Sequence, residues 1–281
     1  MKLATLRHEG ATTAIRIEDD EAVVLDAPNV DALLADPDRF AAAATEDGPR
    51  IGLANADYAP VVTWPGKIVC VGQNYLNHIL EMGREAPEYP TLFTKYPEAL
   101  IGARDDIQLP PESDKVDWEC ELAIIVGRPV RRATPAQAEA AIAGFAVLND
   151  ISMRDWQNRT LMWDQGKTWE RSAPFGPWLV TPDELPGGVR PTLDVRCLVD
   201  GEVMQADNTR DLVFDPVALV QYISTILTLK PGDVIASGTS GGVGHARKPP
   251  RYLSAGAEVV TEIEHLGRCH NRAVNEEVLD A

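Results

Sequence analysis

At 281 residues the chain is long enough for one large domain, or a main domain with a small appendage, and it can bury a core without disulfide staples. Its 44% hydrophobic and 25% charged residues exclude disorder and fibrous repeats. A formal net charge of −17 argues against nucleic acid and anionic membranes as partners, since both recruit clustered Lys and Arg.

The longest apolar runs, such as Leu122 to Val126, fall far short of the roughly 20 residues that span a bilayer. The N-terminus lacks a basic segment followed by an apolar one, so the expected compartment is the cytoplasm. Cys70, Cys120, Cys197 and Cys269 are too dispersed for a metal knuckle and read as buried free thiols.

Strand-like stretches at Met1 to Arg7, Thr13 to Ile17 and Ala22 to Leu25 alternate with short helical ones at Asp31 to Leu34 and Arg39 to Ala44. This composition predicts a small N-terminal domain over residues 1–64. Two prolines and a glycine in Tyr58 to Gly66 mark a boundary near Pro65, and Lys67 to Val71 opens a main body over residues 65–281. Tyr75 to Met82 has helical composition, and Thr91 to Lys95 is extended.

Val116 to Val126 reads as one strand. Thr134-Pro135, an alanine-rich run and Gly144 predict a capped helix ending at that glycine, followed by a strand over Phe145 to Leu148. Asp200-Gly201 predicts a hairpin between Leu193 to Val199 and Glu202 to Gln205. Pro216 to Leu227 is helical, Val234 to Ser237 is a strand, and Val259 to His265 pairs with Cys269 to Val274. The body is strand-dominated, without regular βαβ alternation.

The period of two along Asp117-Trp-Glu119-Cys-Glu121 puts the three acids on one face. Such alternation also fits the solvent face of a one-sided sheet. Yet the apolar run from Leu122 implies burial, where paired glutamates repel and lose hydration unless a cation sits between them. An all-oxygen set favours Mg²⁺ or Mn²⁺, with Ca²⁺ possible, and Asp150 at the end of another strand offers a third carboxylate.

His78 and Glu81 stand three apart in helix-like sequence, so they share one face; a carboxylate there would orient the imidazole and raise its basicity. In isolation such a pair is commonly a solvated surface contact. Arg154 and Gln157 follow Asp150 by four and seven residues and, on a helix, converge on whatever Asp150 holds. Gly166-Lys167-Thr168 imitates the end of a P-loop, but Leu161 stands where that motif needs glycine. The glycines from Gly238 to Gly244 follow the wrong order for a dinucleotide fingerprint, and His245, His265 and His270 have no paired spacing.

Five ordered segments together resemble the fumarylacetoacetate hydrolase family: Gly72-Gln-Asn-Tyr-Leu-Asn-His78-Ile-Leu-Glu81, Asp117-Trp-Glu-Cys-Glu121, Asn149-Asp150-Ile-Ser-Met-Arg154-Asp-Trp-Gln157, Gly166-Lys167, and Gly232-Asp-Val-Ile-Ala-Ser-Gly-Thr239. The resemblance covers roughly residues 66 to 275. It implies a mainly β (α+β) fold of curved mixed sheets forming a roll or sandwich, a metal held by Glu119, Glu121 and Asp150, and a homodimer. Similarity to the acylpyruvase-like and diene-dioate isomerase branch implies that His78 and Glu81 activate water, that Lys167 stabilises an oxyanion, and that Arg154, Gln157, Lys167 and Thr239 bind substrate. In that branch the Tyr75 to Arg84 segment is a lid that orders with ligand.

The implied substrate is a small 2-oxo acid, chelating the metal through its carboxylate and 2-oxo oxygen. The leading expectation is hydrolysis of a C–C bond in an acylpyruvate-like β-diketo acid, as in aromatic catabolism. Decarboxylation, isomerisation or elimination through the same enolate is the enzymatic alternative, and a non-catalytic metal-binding protein the third reading. The founding branch carries a further metal carboxylate seven residues before its histidine, where this chain has Val71; that departure speaks against fumarylacetoacetate itself.

Overall fold

Apolar residues recurring every second position build the strands that dominate the regular structure of this computed structural model, which describes residues 1–8, 10–81 (without the Glu81 side chain), 83 and 85–277. The N-terminal stretch gives β1 (Lys2–His8), β2 (Ala11–Glu18), β3 (Glu21–Val24) and β4 (Arg50–Gly52), with helices α1 (Val30–Leu34) and α2 (Pro37–Ala42) between the last two. Side chains of Asn29 and Asp36 accept the first backbone N–H groups of those helices. Next come β5 (Ile68–Gly72), α3 (Leu76–Glu81), β6 (Thr91–Lys95), β7 (Leu100–Ile101), β8 (Ile107–Leu109), β9 (Val116–Asp117) and β10 (Cys120–Val126). Helix α4 (Pro135–Ala141) leads into β11 (Ile142–Asn149), β12 (Ser152–Met153) and the one-turn α5 (Arg154–Gln157). The remainder comprises β13 (Ala173–Val180), β14 (Asp194–Val199), β15 (Glu202–Asn208), α6 (Pro216–Ile226), β16 (Val234–Thr239), β17 (Glu258–Ile263) and β18 (Gly267–Asn275).

Among the described residues, an eleven-stranded mixed sheet runs β4-β3-β2-β1-β13-β11-β10-β16-β5-β6, with β7 joined to β13; a five-stranded sheet runs β15-β14-β17-β18-β8. The first four strands thus continue the main sheet through β1 and β13, where Leu3 opposes Leu179. Strand β10 is buried on both faces. Leu122, Ile124 and Val126 pack with Val195, Cys197 and Ile263 of the second sheet, while Ala123 and Ile125 enter a separate apolar cluster with Leu3, Cys70 and Phe175. Burying each such Leu or Ile contributes about 1.5–3 kcal/mol, so the strand that ends in the acidic residues is anchored deep in the core. All four cysteines are free and buried, and no helix of the described residues is long and apolar enough to cross a membrane.

Two expectations need correction. The strand predicted over Val116 to Val126 is broken at Trp118 and Glu119: β9 pairs with β12, whereas β10 pairs with β11 and β16. The buried Trp118 ring and an Asn149 side chain that takes the Glu119 N–H interrupt the ladder there. Helix α4 stops at Ala141, not at Gly144, because Ile142 is already drawn into the sheet opposite Val126. The Asp200-Gly201 hairpin forms as predicted, with both residues at positive φ.

Candidate active site

The break in the strand aims the acids differently from simple alternation. Glu119, Glu121 and Asp150 each offer a carboxylate oxygen within 4.8 Å of the others, and all three are buried. Asp117 turns away, into a separate contact with Arg154. Glu121 leaves β10 beside Gly238, whose N–H donates to Glu121 Oε2 at 2.9 Å. Gly238 sits at φ +100°, and a Cβ there would fall 2.9 Å from both the Asn74 Cβ and the Val71 carbonyl oxygen, so only glycine brings that N–H to the glutamate.

Three buried cations surround the acids. Lys167 Nζ donates to Glu119 Oε2 at 2.7 Å and to Asp150 Oδ2 at 2.8 Å. Arg154 Nη2 lies 2.7 Å from Glu119 Oε1. Lys95 Nζ lies 2.9 Å from Asp150 Oδ1 and also donates to the Lys167 carbonyl. Beyond that ammonium, Asp150 Oδ1 has no other polar partner among the described residues. Lys167 also stands 5.2 Å above the Phe93 ring, whose edge packs on Trp163.

These neighbours set the protonation states. Burial, then repulsion from Asp150 and Glu119, pushes the Glu121 carboxyl well above the usual glutamate range. Burial would also raise Asp150, but Lys167 and Lys95 outweigh it and hold that group below its ordinary value. Lys167 feels burial as a depressing influence, yet Asp150 and Glu119 more than offset it and keep the amine firmly protonated. Arg154 is raised likewise, by Glu119 and Asp117 against burial. A hard divalent cation fits this donor set: three converging carboxylates, no His or Cys among them, and one glutamate driven towards protonation unless a cation balances it.

The other predicted residues are placed as follows. Arg154 and Gln157 share α5, with Nη1 of the arginine donating to Gln157 Oε1 at 2.9 Å. Thr239 follows Gly238 and is 8% exposed; its hydroxyl donates to the Cys120 carbonyl at 3.1 Å and accepts from Gln205 Nε2 at 2.7 Å. The hydroxyl proton is thereby committed within the protein. His78 lies on α3, partly buried, while the Glu81 side chain and all of Met82 and Arg84, part of the expected lid, lie outside the described residues.

Sequence reasoning missed Lys95, Asn149 and Gln205. Lys95 ends a strand next to Tyr96-Pro97, where lysine ordinarily faces solvent; only its register opposite the buried Ile68 reveals it. Asn149 Oδ1 takes the Glu119 N–H and its amide donates to Thr261 Oγ1 at 2.8 Å; Gln205 Oε1 takes the Cys120 N–H at 2.9 Å. A surface groove of about 770 Å³ between Trp178, Arg196, Arg268 and His270 lies elsewhere, so chemistry rather than cavity size identifies the site.

Residues 67–274 match the family model described as fumarylacetoacetate (FAA) hydrolase, C-terminal. The human mitochondrial oxaloacetate tautomerase FAHD2B is 41% identical over 228 residues, covering 80% of this chain and 72% of that protein. A fumarylacetoacetate hydrolase from psychrophilic Exiguobacterium antarcticum superposes with a TM-score of 0.87 at 30% identity, over 98% of this chain and 100% of its own. The maleylpyruvate hydrolase of Sphingobium sp. SYK-6, solved with manganese(II) and pyruvate, gives 0.81 at 29% identity, over 99% of this chain and 100% of its own.

Proposed function

The chain belongs to the fumarylacetoacetate hydrolase family, and on that footing we propose that it is a divalent-metal-dependent enzyme interconverting the enol and keto forms of a small 2-oxo dicarboxylate of the oxaloacetate class. One observation carries this reading. In a protein of net charge −17, four buried carboxylates (Asp117, Glu119, Glu121, Asp150) face three buried cations (Lys95, Arg154, Lys167), so one divalent ion turns the pocket's balance positive and suits it to an anion. The likeness to an oxaloacetate tautomerase supports the choice of reaction, and the manganese and pyruvate of the maleylpyruvate hydrolase structure support the choice of a 2-oxo acid.

Glu119, Glu121 and Asp150 would hold Mg²⁺ or Mn²⁺, which supplies charge neutralisation and a Lewis-acidic grip on the substrate's carboxylate and 2-oxo oxygen. Lys167, held protonated by Asp150 and Glu119, donates a hydrogen bond to the C2 oxygen as negative charge develops there. Gln157 and Arg154 orient the carboxylate end. His78 would exchange the proton at C3, with Glu81, as the resemblance to the family implies, orienting its ring. Burial of the site excludes bulk water, which a tautomerisation does not require.

The test is to add the enol form of oxaloacetate to protein with Mg²⁺, with Mn²⁺ and with chelator, and follow enol absorbance and products. Accelerated enol loss without pyruvate or CO₂, abolished by chelator, is expected. Release of pyruvate from acetylpyruvate in place of tautomerisation would move the assignment to C–C hydrolysis, with His78 activating water. Inactivity on every 2-oxo acid with metal bound would leave only a binding role.

A further inference from the structure

We infer that Asp117 is a positioning residue: it locks the Arg154–Gln157 pair so that the Gln157 amide N–H₂ faces the substrate, and it ties that pair to the loop following Thr239. The inference deepens the reading above and rests on it for the identity of the site. Asp117 is fully buried, and both of its oxygens are shared. Oδ1 accepts from the N–H of Trp118 at 2.9 Å and of Gly244 at 2.7 Å. Oδ2 accepts from the His245 N–H at 2.9 Å and from Arg154 Nε at 2.8 Å. An ion pair alone needs no backbone partners. Here one carboxylate oxygen is divided between the loop and the arginine, so the loop backbone fixes where the guanidinium lies.

Loop and carboxylate approach each other too closely for any side chain between them. A Cβ on Gly244 would fall 1.9 Å from the Arg251 carbonyl oxygen and 2.8 Å from Asp117 Oδ1. With Nε held by Asp117, Arg154 spends Nη2 on Glu119 and Nη1 on Gln157. A guanidinium only donates, so the glutamine atom it touches at 2.9 Å is the carbonyl oxygen. The amide nitrogen therefore points the other way, and among the described residues it makes no hydrogen bond. Gln157, 8% exposed, presents a fixed donor suited to a carboxylate or keto oxygen and unsuited to a substrate hydroxyl that must donate. Without Asp117, Arg154 keeps only its acidic contact at Glu119, a candidate ligand of the cation, and the amide loses its fixed orientation.

The experiment measures binding of Mn²⁺, and then of oxalate to the Mn²⁺-loaded protein, by calorimetry, with thermal melting alongside. For Asp117→Asn, oxalate affinity is expected to fall about 10- to 100-fold, the effect of breaking one buried charged hydrogen bond, while Mn²⁺ affinity stays within about twofold. Gln157→Glu keeps an oxygen towards Arg154 but replaces the donor with an acceptor, and should weaken oxalate by a similar factor. The double variant should bind oxalate no more weakly than the worse single variant, because both act through one amide. Full oxalate affinity in folded Asp117→Asn, or multiplicative losses in the double variant, overturns the inference. Should Asp117→Asn not fold, undiminished oxalate binding by Gln157→Glu overturns it alone. Because binding is read rather than turnover, a wild type that binds oxalate but tautomerises nothing would sink the reaction assignment and leave this inference standing.

Discussion

Lys95 Nζ lies 2.9 Å from Asp150 Oδ1, on the opposite carboxylate oxygen from the one Lys167 holds at 2.8 Å. Asp150 is thus clamped between two buried ammonium groups. Removing one partner of a buried pair leaves the other uncompensated, at a cost of about 3–5 kcal/mol. Lys95→Met should therefore melt well below wild type without metal. A divalent ion replaces the missing positive charge, so saturating Mn²⁺ should stabilise the variant by more than it stabilises wild type. Melting curves with and without Mn²⁺ check this; equal metal-induced shifts in both proteins would remove Lys95 from the electrostatics of the site.

Glu121 makes a proton-release prediction. Burial, then Asp150 and Glu119, raise its folded pKa above the unfolded value, so without a cation the native state binds the extra proton. Its contribution to stability is therefore present below the ordinary glutamate pKa and lost as pH rises through the raised one. A metal binds the deprotonated form, so affinity should increase with pH across that window. Titrating Mn²⁺ in buffers of different ionisation enthalpy should reveal about one proton released per ion. A binding enthalpy independent of buffer would show that Glu121 is already ionised.

The dyad of His78 and Glu81 sits three residues apart on α3. Glu81→Gln keeps the side chain's size but removes the charge that, in the proposed dyad, would orient the imidazole. Turnover should fall by about 10²- to 10⁴-fold, the usual worth of general acid–base catalysis, with Mn²⁺ affinity unchanged. Steady-state kinetics beside a metal titration decide it, and wild-type turnover would exclude the pair from proton transfer.

What the sequence revealed was periodic, and what it hid depended on breaks in that period. Alternation located the convergence of Glu119 with Glu121, the apolar run located β10, and the Asp200-Gly201 turn located its hairpin, because each needs only local geometry. Alternation misaimed Asp117, since a two-residue break at Trp118 and Glu119 rotates that carboxylate away from the triad. Local composition cannot report a break that is maintained by Asn149 from a neighbouring strand. Lys95 stayed hidden for a related reason: a strand-terminal lysine has no distinguishing neighbours, and its burial arises from a sheet register set by residues some 27 positions earlier, at Ile68.

Gln205 is where the second sheet reaches the acidic strand. It is 1% exposed on β15; its carbonyl takes the N–H of Cys120, the residue between the two glutamates, and its amide donates to Thr239 Oγ1 and, at 2.9 Å, to the Ser240 carbonyl. Gln205→Leu preserves shape but leaves the Cys120 N–H and the Ser240 carbonyl buried and unpaired. At about 1–3 kcal/mol for each orphaned group, partly relieved by relaxation, the net loss should be about 2–4 kcal/mol in urea denaturation. If this amide also holds the spacing of Glu119 and Glu121, Mn²⁺ affinity must fall with stability; a destabilised variant that binds Mn²⁺ as wild type does would confine Gln205 to holding the two sheets together.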